Sequence, residues 1–170
     1  MLENNAPAIE QALSRDLGKP PFEGWLTDIG SARTEIDHAL NNLEKWMKPE
    51  RVRMPLMTQP GKASVVHEPL GTVLVIAPWN YPVQLVVSPL VGVLAAGNTA
   101  VVKPSELAPA SSALLADLLP RHLDGVEVVE GAVETSTELL ALPFDHIFFT
   151  GSTSVGRVVM KAAAENLVPV

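Results

Sequence analysis

The hydrophobic pattern along the chain starts with a helical period. From Ala8 to Leu17 the apolar residues Ile9, Leu13 and Leu17 recur at helical spacing, and Gly18 followed by Pro20 and Pro21 predicts a stop. A second, longer helix is predicted from about Glu23 to Lys48, with Leu26, Ile29, Ile36, Leu40, Leu43 and Met47 on one stripe and Pro49 beyond its end. Its charges, among them Asp28, Arg33, Glu35, Asp37, Glu44 and Lys45, fall mostly off that stripe, the pattern of a solvated face on a helix packed against a larger body. The prolines between Pro55 and Pro60 predict an extended stretch, and Ser64 to Pro69 an edge strand, because Pro69 cannot donate to a ladder.

The period then changes. Val73-Leu74-Val75-Ile76-Ala77 is a continuous apolar run, as expected of a strand buried on both faces in a parallel sheet. A helix from Val83 to Ala96 is stopped by Gly97-Asn98, and a strand follows from Thr99 to Lys103. A helix from Ala108 to Leu119, a strand from Val126 to Glu130, a short helix from Thr135 to Leu140 and a strand from Asp145 to Thr150 come next, and another helix starts after Gly151. This alternation predicts an α/β fold: a doubly wound, mainly parallel, Rossmann-like sheet preceded by two N-terminal helices. The expected division is a helical lead-in over 1–61 and a βα core over 62–170.

Composition agrees with a densely buried chain. Of 170 residues, 47% are hydrophobic and 18% charged, which excludes a disordered or collagen-like protein. A net charge of −7 makes nucleic acid a poor partner. The apolar window Val83 to Val102 is interrupted by Gln84, Ser88, Pro89, Gly92, Gly97, Asn98 and Thr99, so no membrane segment is expected. The start, Met1 to Asn5, has neither a basic nor an apolar signal region, and a cytoplasmic location is the expectation. Cysteine is absent, which removes disulfides, thiolate metal sites and thiol nucleophiles from consideration. The histidines (His38, His67, His122 and His146) show no pair at metal-ligand spacing and are assigned structural or solvent roles.

In such sheets ligands bind outside the carboxyl ends of the strands, which directs attention to three loops. After the first buried strand, Pro78 and Pro82 bracket Trp79, Asn80 and Tyr81, and the Asn80 amide could either donate to a developing oxyanion or cap the following helix. After the next strand, Lys103 and Glu106 place a cation and an acid together. Glu106 could accept from ribose hydroxyls, or simply sit in the first turn of a helix whose dipole favours it. The third loop, Gly151-Ser152-Thr153-Ser154-Val155-Gly156, joins a strand to a helix N-terminus and reads either as a pyrophosphate site or as a capped turn. It fails the P-loop pattern at Arg157 and Val158, and the nucleophile elbow at Ser152.

Together, Glu68-Pro69-Leu70-Gly71, Ala77 to Pro82, Ala95 to Thr99, Lys103 to Glu106 and Phe149 to Gly156 resemble the aldehyde dehydrogenase superfamily in order and spacing. Asp16 to Pro21 and Lys45 to Glu50 resemble its class 3 branch, which includes fatty-aldehyde and coniferyl-aldehyde dehydrogenases. The resemblance covers essentially the whole chain. It implies NAD(P)-dependent oxidation of an aldehyde to a carboxylic acid, with NAD or NADP as cofactor and a homodimeric full-length enzyme.

Carried over by motif, Asn80 would stabilise the oxyanion and Trp79 would shape the cofactor channel. Lys103 and Glu106 would hold the adenosine ribose, and Gly151, Ser152, Thr153, Ser154, Val155 and Gly156 would lie beside the phosphates. The resemblance also implies an incomplete aldehyde dehydrogenase fold. In the family the general-base Glu-Leu-Gly-Gly motif follows a segment like Asn166 to Val170, with the nucleophilic Cys and the dimerisation segment further on, and the family's first helix and strand are expected to be missing ahead of Met1. The expectation is a fragment inactive alone; the alternative is a stand-alone nucleotide-binding or interaction module without redox activity.

Overall fold

The computed structural model describes residues 1–170. Helix α1 (Ala6–Leu17) ends as its sequence predicts: Gly18 adopts a left-handed φ of 65° and donates its N–H to the Ser14 carbonyl. The long second helix is not uniform. Helix α2 (Pro21–Gly24) runs into a π-helical turn over Trp25–Gly30 and continues as α3 (Ser31–Trp46). The wider turn shifts the phase of the buried face, so Leu26, Leu40 and Met47 of the expected stripe are exposed, while Ile29, Ala32 and Ala39 are buried. Asp28, expected on the solvated face, is fully buried.

Prolines 55 and 60 do not hold an extended segment: Leu56–Thr58 form a 3₁₀ turn between strands β1 (Glu50–Val52) and β2 (Ala63–Val65). These strands pair antiparallel as a separate two-stranded ribbon. The expected edge strand at Ser64 to Pro69 therefore stops early and belongs to this ribbon, not to the main sheet. Its partner gave no signal, because all of β1 is solvent-exposed and carries no alternation.

The main sheet contains β3 (Thr72–Ile76), β4 (Thr99–Lys103), β5 (Val126–Val128) and β6 (His146–Phe149), all parallel, in the order β5-β4-β3-β6. Helices α4 (Gln84–Ala95) and α5 (Pro109–His122) link the first three strands on one face. Helices α6 (Val133–Leu140) and α7 (Thr153–Ala164) cover the other. Alternation in β3 serves both layers. Val73 and Val75 face the larger core, with Leu13, Ile29, Val86, Leu90 and Leu119, whereas Leu74 faces the smaller one, with Leu140, Phe144, Ile147 and Val159. A strand that must satisfy two cores has no polar face to spare, which is why it reads as an unbroken apolar run. Strand β6 forms one edge, and its Ile147 N–H donates to the Pro169 carbonyl at 2.9 Å.

Candidate functional site

The strand order reverses between β3 and β6, since the chain steps from β3 through β4 to β5 and then returns to the other side of β3. A crevice outside the strand ends is expected at that switch point. The Thr150 N–H donates to the Ile76 carbonyl at 3.0 Å, and the Ala77 N–H to the Lys103 carbonyl at 3.2 Å, so all three loops leave the sheet side by side.

In the loop after β3, Trp79 and Asn80 are exposed and Pro82 is buried. The two readings open for Asn80 are separated by the way α4 begins. Its first amides, on Val83 and Gln84, both donate to Asp28 Oδ1, at 3.1 and 3.2 Å, and the Leu85 N–H donates to the Tyr81 carbonyl. Asn80 is thus not the helix cap, and its side-chain amide carries no hydrogen bond within the protein.

At the end of β4 the Lys103 side chain is buried, at 4% exposure, and its Nζ lies 2.8 Å from Glu106 Oε2. The Lys103 ammonium, by its hydrogen bond first and with help from the Glu106 backbone amide, holds the Glu106 carboxyl below the usual glutamate range. Glu106 is not in the first turn of a helix: α5 begins at Pro109, and its Ala110 and Ser111 N–H groups donate to Asp16 of α1, at 3.0 and 2.7 Å. Glu106 Oε1 accepts from no other side chain, and Glu106 and Leu107 are exposed while Pro104, Ser105 and Ala108 of the same loop are buried.

The third loop has the capped turn that was one of its two expected readings. Ser152 caps α7, its Oγ accepting from the Val155 N–H at 3.3 Å and lying 3.0 Å from the Ser154 hydroxyl. The N–H groups of Thr153 and Ser154 have no protein acceptor and are available to an anion at the positive end of the helix. Gly151 leaves room for the Phe149 ring: a Cβ there would stand 2.5 Å from the ring and force it to move, whereas one at Gly156 would stand at an ordinary 3.5 Å. The ring therefore props the loop from below while Ser152, Thr153, Ser154 and Val155 stay exposed.

The functional residues that sequence reasoning missed are the two carboxylates capping α4 and α5. Asp16 offered a usable signal: it lies in the last turn of α1, where a negative charge opposes the helix dipole and so is better explained by a partner elsewhere. Asp28 offered none, because the π-helical turn that buries it leaves no mark in the apolar spacing. An apolar groove of about 730 Å³, lined by Ile36, Leu40, Leu43, Leu90, Leu94 and Leu119 among others, opens by the last turn of α4, at the opposite end from the loops. No helix is long and apolar enough to cross a membrane.

Comparison with known proteins gives this geometry a context. The family model described as "Aldehyde dehydrogenase family" matches residues 1–170. Aldehyde dehydrogenase family 3 member H1 of Arabidopsis thaliana is 51% identical over 170 residues, covering 99% of this chain and 35% of the relative. A substrate-bound AldH of Staphylococcus aureus superposes with a TM-score of 0.97 at 46% identity, over 99% of this chain and 37% of that one. An aldehyde dehydrogenase of Mycobacterium tuberculosis, solved in complex with NAD+, superposes with a TM-score of 0.87 at 30% identity, over 99% of this chain and 35% of that one. The chain thus spans about a third of the length of the relatives it matches. With the motifs, the doubly wound sheet and the match along the full chain in agreement, the protein belongs to the aldehyde dehydrogenase family, in its class 3-like branch.

Proposed function

We propose that residues 1–170 form the dinucleotide-binding and oxyanion-stabilising part of an NAD(P)-dependent enzyme that oxidises an aldehyde to a carboxylic acid. The observation that carries this reading is the Asn80 amide, exposed and unbonded at the end of β3 because Asp28 has taken over the capping of α4. A preorganised donor aimed at a developing oxyanion is worth roughly 3–4 kcal/mol. The loop prolines and the buried Asp28 supply the preorganisation.

A bound nicotinamide dinucleotide supplies the hydride acceptor. The donor set around the three loops fits such a group. The free Thr153 and Ser154 amides and the exposed hydroxyls of the Gly151-to-Gly156 loop suit a pyrophosphate, and Trp79 offers a flat apolar wall. Glu106 Oε1 accepts from ribose hydroxyls. Because Glu106 already neutralises Lys103 at 2.8 Å, the pair offers little net charge to a 2′-phosphate, which favours NAD over NADP.

The 170 residues contain no cysteine, so a thiol nucleophile has to come from outside them, and this chain alone binds without turning over. A cytoplasmic setting and homodimeric assembly with the remainder of a longer enzyme complete the proposal. Calorimetric titration of the purified chain with NAD and NADP tests it. Saturable NAD binding, weakened about tenfold in Glu106→Ala by the loss of charge-assisted hydrogen bonds, is the expected result. No binding by a folded chain overturns the cofactor reading, and steady NADH production with any aldehyde overturns the claim that the chain alone is inactive.

A further inference from the structure

We propose that Lys19 and Asp28 are positioning residues for the Trp79–Asn80–Tyr81 turn, holding the Asn80 amide in place from the far side of the helical lead-in. The catalytic consequence rests on the reading of Asn80 as an oxyanion donor; the positioning itself does not. Asp28 is 0% exposed and Lys19 8%, and their charged atoms are 2.8 Å apart. Both carboxylate oxygens of Asp28 are fully used. Oδ1 takes the N–H groups of Val83 and Gln84, and Oδ2 takes the Lys19 ammonium, with the Thr27 hydroxyl 3.2 Å away but closer, at 2.8 Å, to the Glu23 carbonyl that takes its proton. The Lys19 ammonium also lies 4.1 Å from the centre of the Tyr81 ring, one residue from Asn80. The carboxylate fixes where the loop ends and the cation fixes where it turns. With φ restricted at Pro78 and Pro82, the residues between retain little freedom.

Two features argue that this arrangement is more than packing. A buried ion pair is seldom more stabilising than apolar residues of the same volume, so its presence in a core otherwise rich in Leu, Ile and Val points to a geometric use. The backbone is also distorted to deliver it. The π-helical turn at Trp25–Gly30 inserts an extra residue, with the Ser31 hydroxyl donating to the Leu26 carbonyl five residues back at 3.3 Å. That insertion brings Asp28 and Ile29, adjacent in sequence, both to the interior. Single π turns of this kind recur at functional sites.

The test uses the 170-residue chain in solution without cofactor or aldehyde, so that its outcome is independent of whether the chain binds a dinucleotide. Nuclear magnetic resonance would follow the Tyr81 ring and the Asn80 side-chain amide, with hydrogen exchange at Val83 and Gln84. Lys19→Met removes the cation while leaving Asp28 to cap α4, and Lys19→Arg restores a cation. The expected result for Lys19→Met is a shifted Tyr81 ring, a mobile Asn80 amide and protection at Val83 and Gln84 unchanged within about threefold, with Lys19→Arg returning the signals toward those of the parent chain. Tyr81→Leu, at a half-exposed position that folding tolerates, removes the ring instead; it should free Asn80 while leaving the Lys19–Asp28 pair and the α4 amides intact. Unchanged Asn80 signals in Tyr81→Leu, or in a folded Lys19→Met, overturn the proposal. Failure to bind NAD in a chain whose Asn80 responds as described would instead sink only the cofactor reading.

Discussion

Replacing Asp16 by Ala asks whether the helical lead-in and the βα core form one cooperative unit. Asp16 is the only side chain that receives the first amides of α5: Oδ1 accepts from Ala110 at 3.0 Å and Oδ2 from Ser111 at 2.7 Å, across more than ninety residues of sequence. The substitution leaves both N–H groups without acceptors at a part-buried helix start. Loss of an N-cap costs typically about 1 kcal/mol and up to about 2, and a hydrogen bond to a charged group contributes about 1.5–3, so a destabilisation near 2 kcal/mol is expected. In urea, with a slope of about 2 kcal/mol per molar, the midpoint should fall by about 1 M at unchanged slope. Asp16→Asn keeps one acceptor oxygen and should lose about half as much. Hydrogen exchange adds the local readout, with Ala110 and Ser111 losing protection in the Ala variant before residues of β3. A change below about 0.5 kcal/mol, or equal losses for Asn and Ala, would refute the capping argument. Two separate unfolding transitions would refute the single unit.

Other outcomes follow from the site. The Glu106 carboxyl should titrate below an ordinary glutamate in a carbon-detected pH series, and Lys103→Met should raise it, since the Lys103 hydrogen bond is the largest cause of the depression. Because the folded-state pKa is lowered, the pair's contribution to stability is present above the ordinary glutamate range and fades as pH falls through the lowered value; salt should weaken it at this partly exposed position. Gly151→Ala drives a methyl into the Phe149 ring and should cost about 1–3 kcal/mol in thermal unfolding, whereas Gly156→Ala, with ordinary clearance, should not meet that clash; equal clash-type losses at both would contradict the steric account.

The sequence disclosed the βα core because each of its strands has to be apolar for a local reason. Val73 to Ile76 feed two cores at once, and Gly97, Gly125 and the loop prolines punctuate the elements between strands. The lead-in was less legible. A 3.6-residue period cannot register a π-helical turn, so Leu26, Leu40 and Met47 read as core and Asp28 as surface, the reverse of their burial. The ribbon strand Glu50–Val52 is exposed throughout and is specified by pairing with Ala63–Val65, which no local pattern reports. The candidate site was legible in its residues but not in their roles. By spacing alone Asn80 read first as a helix cap, the commoner use of Asn, and only second as a free donor; Asp28, 52 residues earlier, is what caps the helix.

On the proposed reading, the three loops at the strand ends form one dinucleotide site. Mapping an NAD titration by nuclear magnetic resonance tests it most directly. Saturable shifts are expected to cluster at the amides of Thr153 to Gly156, at Glu106 and at the Trp79 and Asn80 side chains, with the apolar groove by Leu40 and Leu94 unmoved. Shifts centred on that groove, or no shift in a folded chain at millimolar NAD, would contradict it.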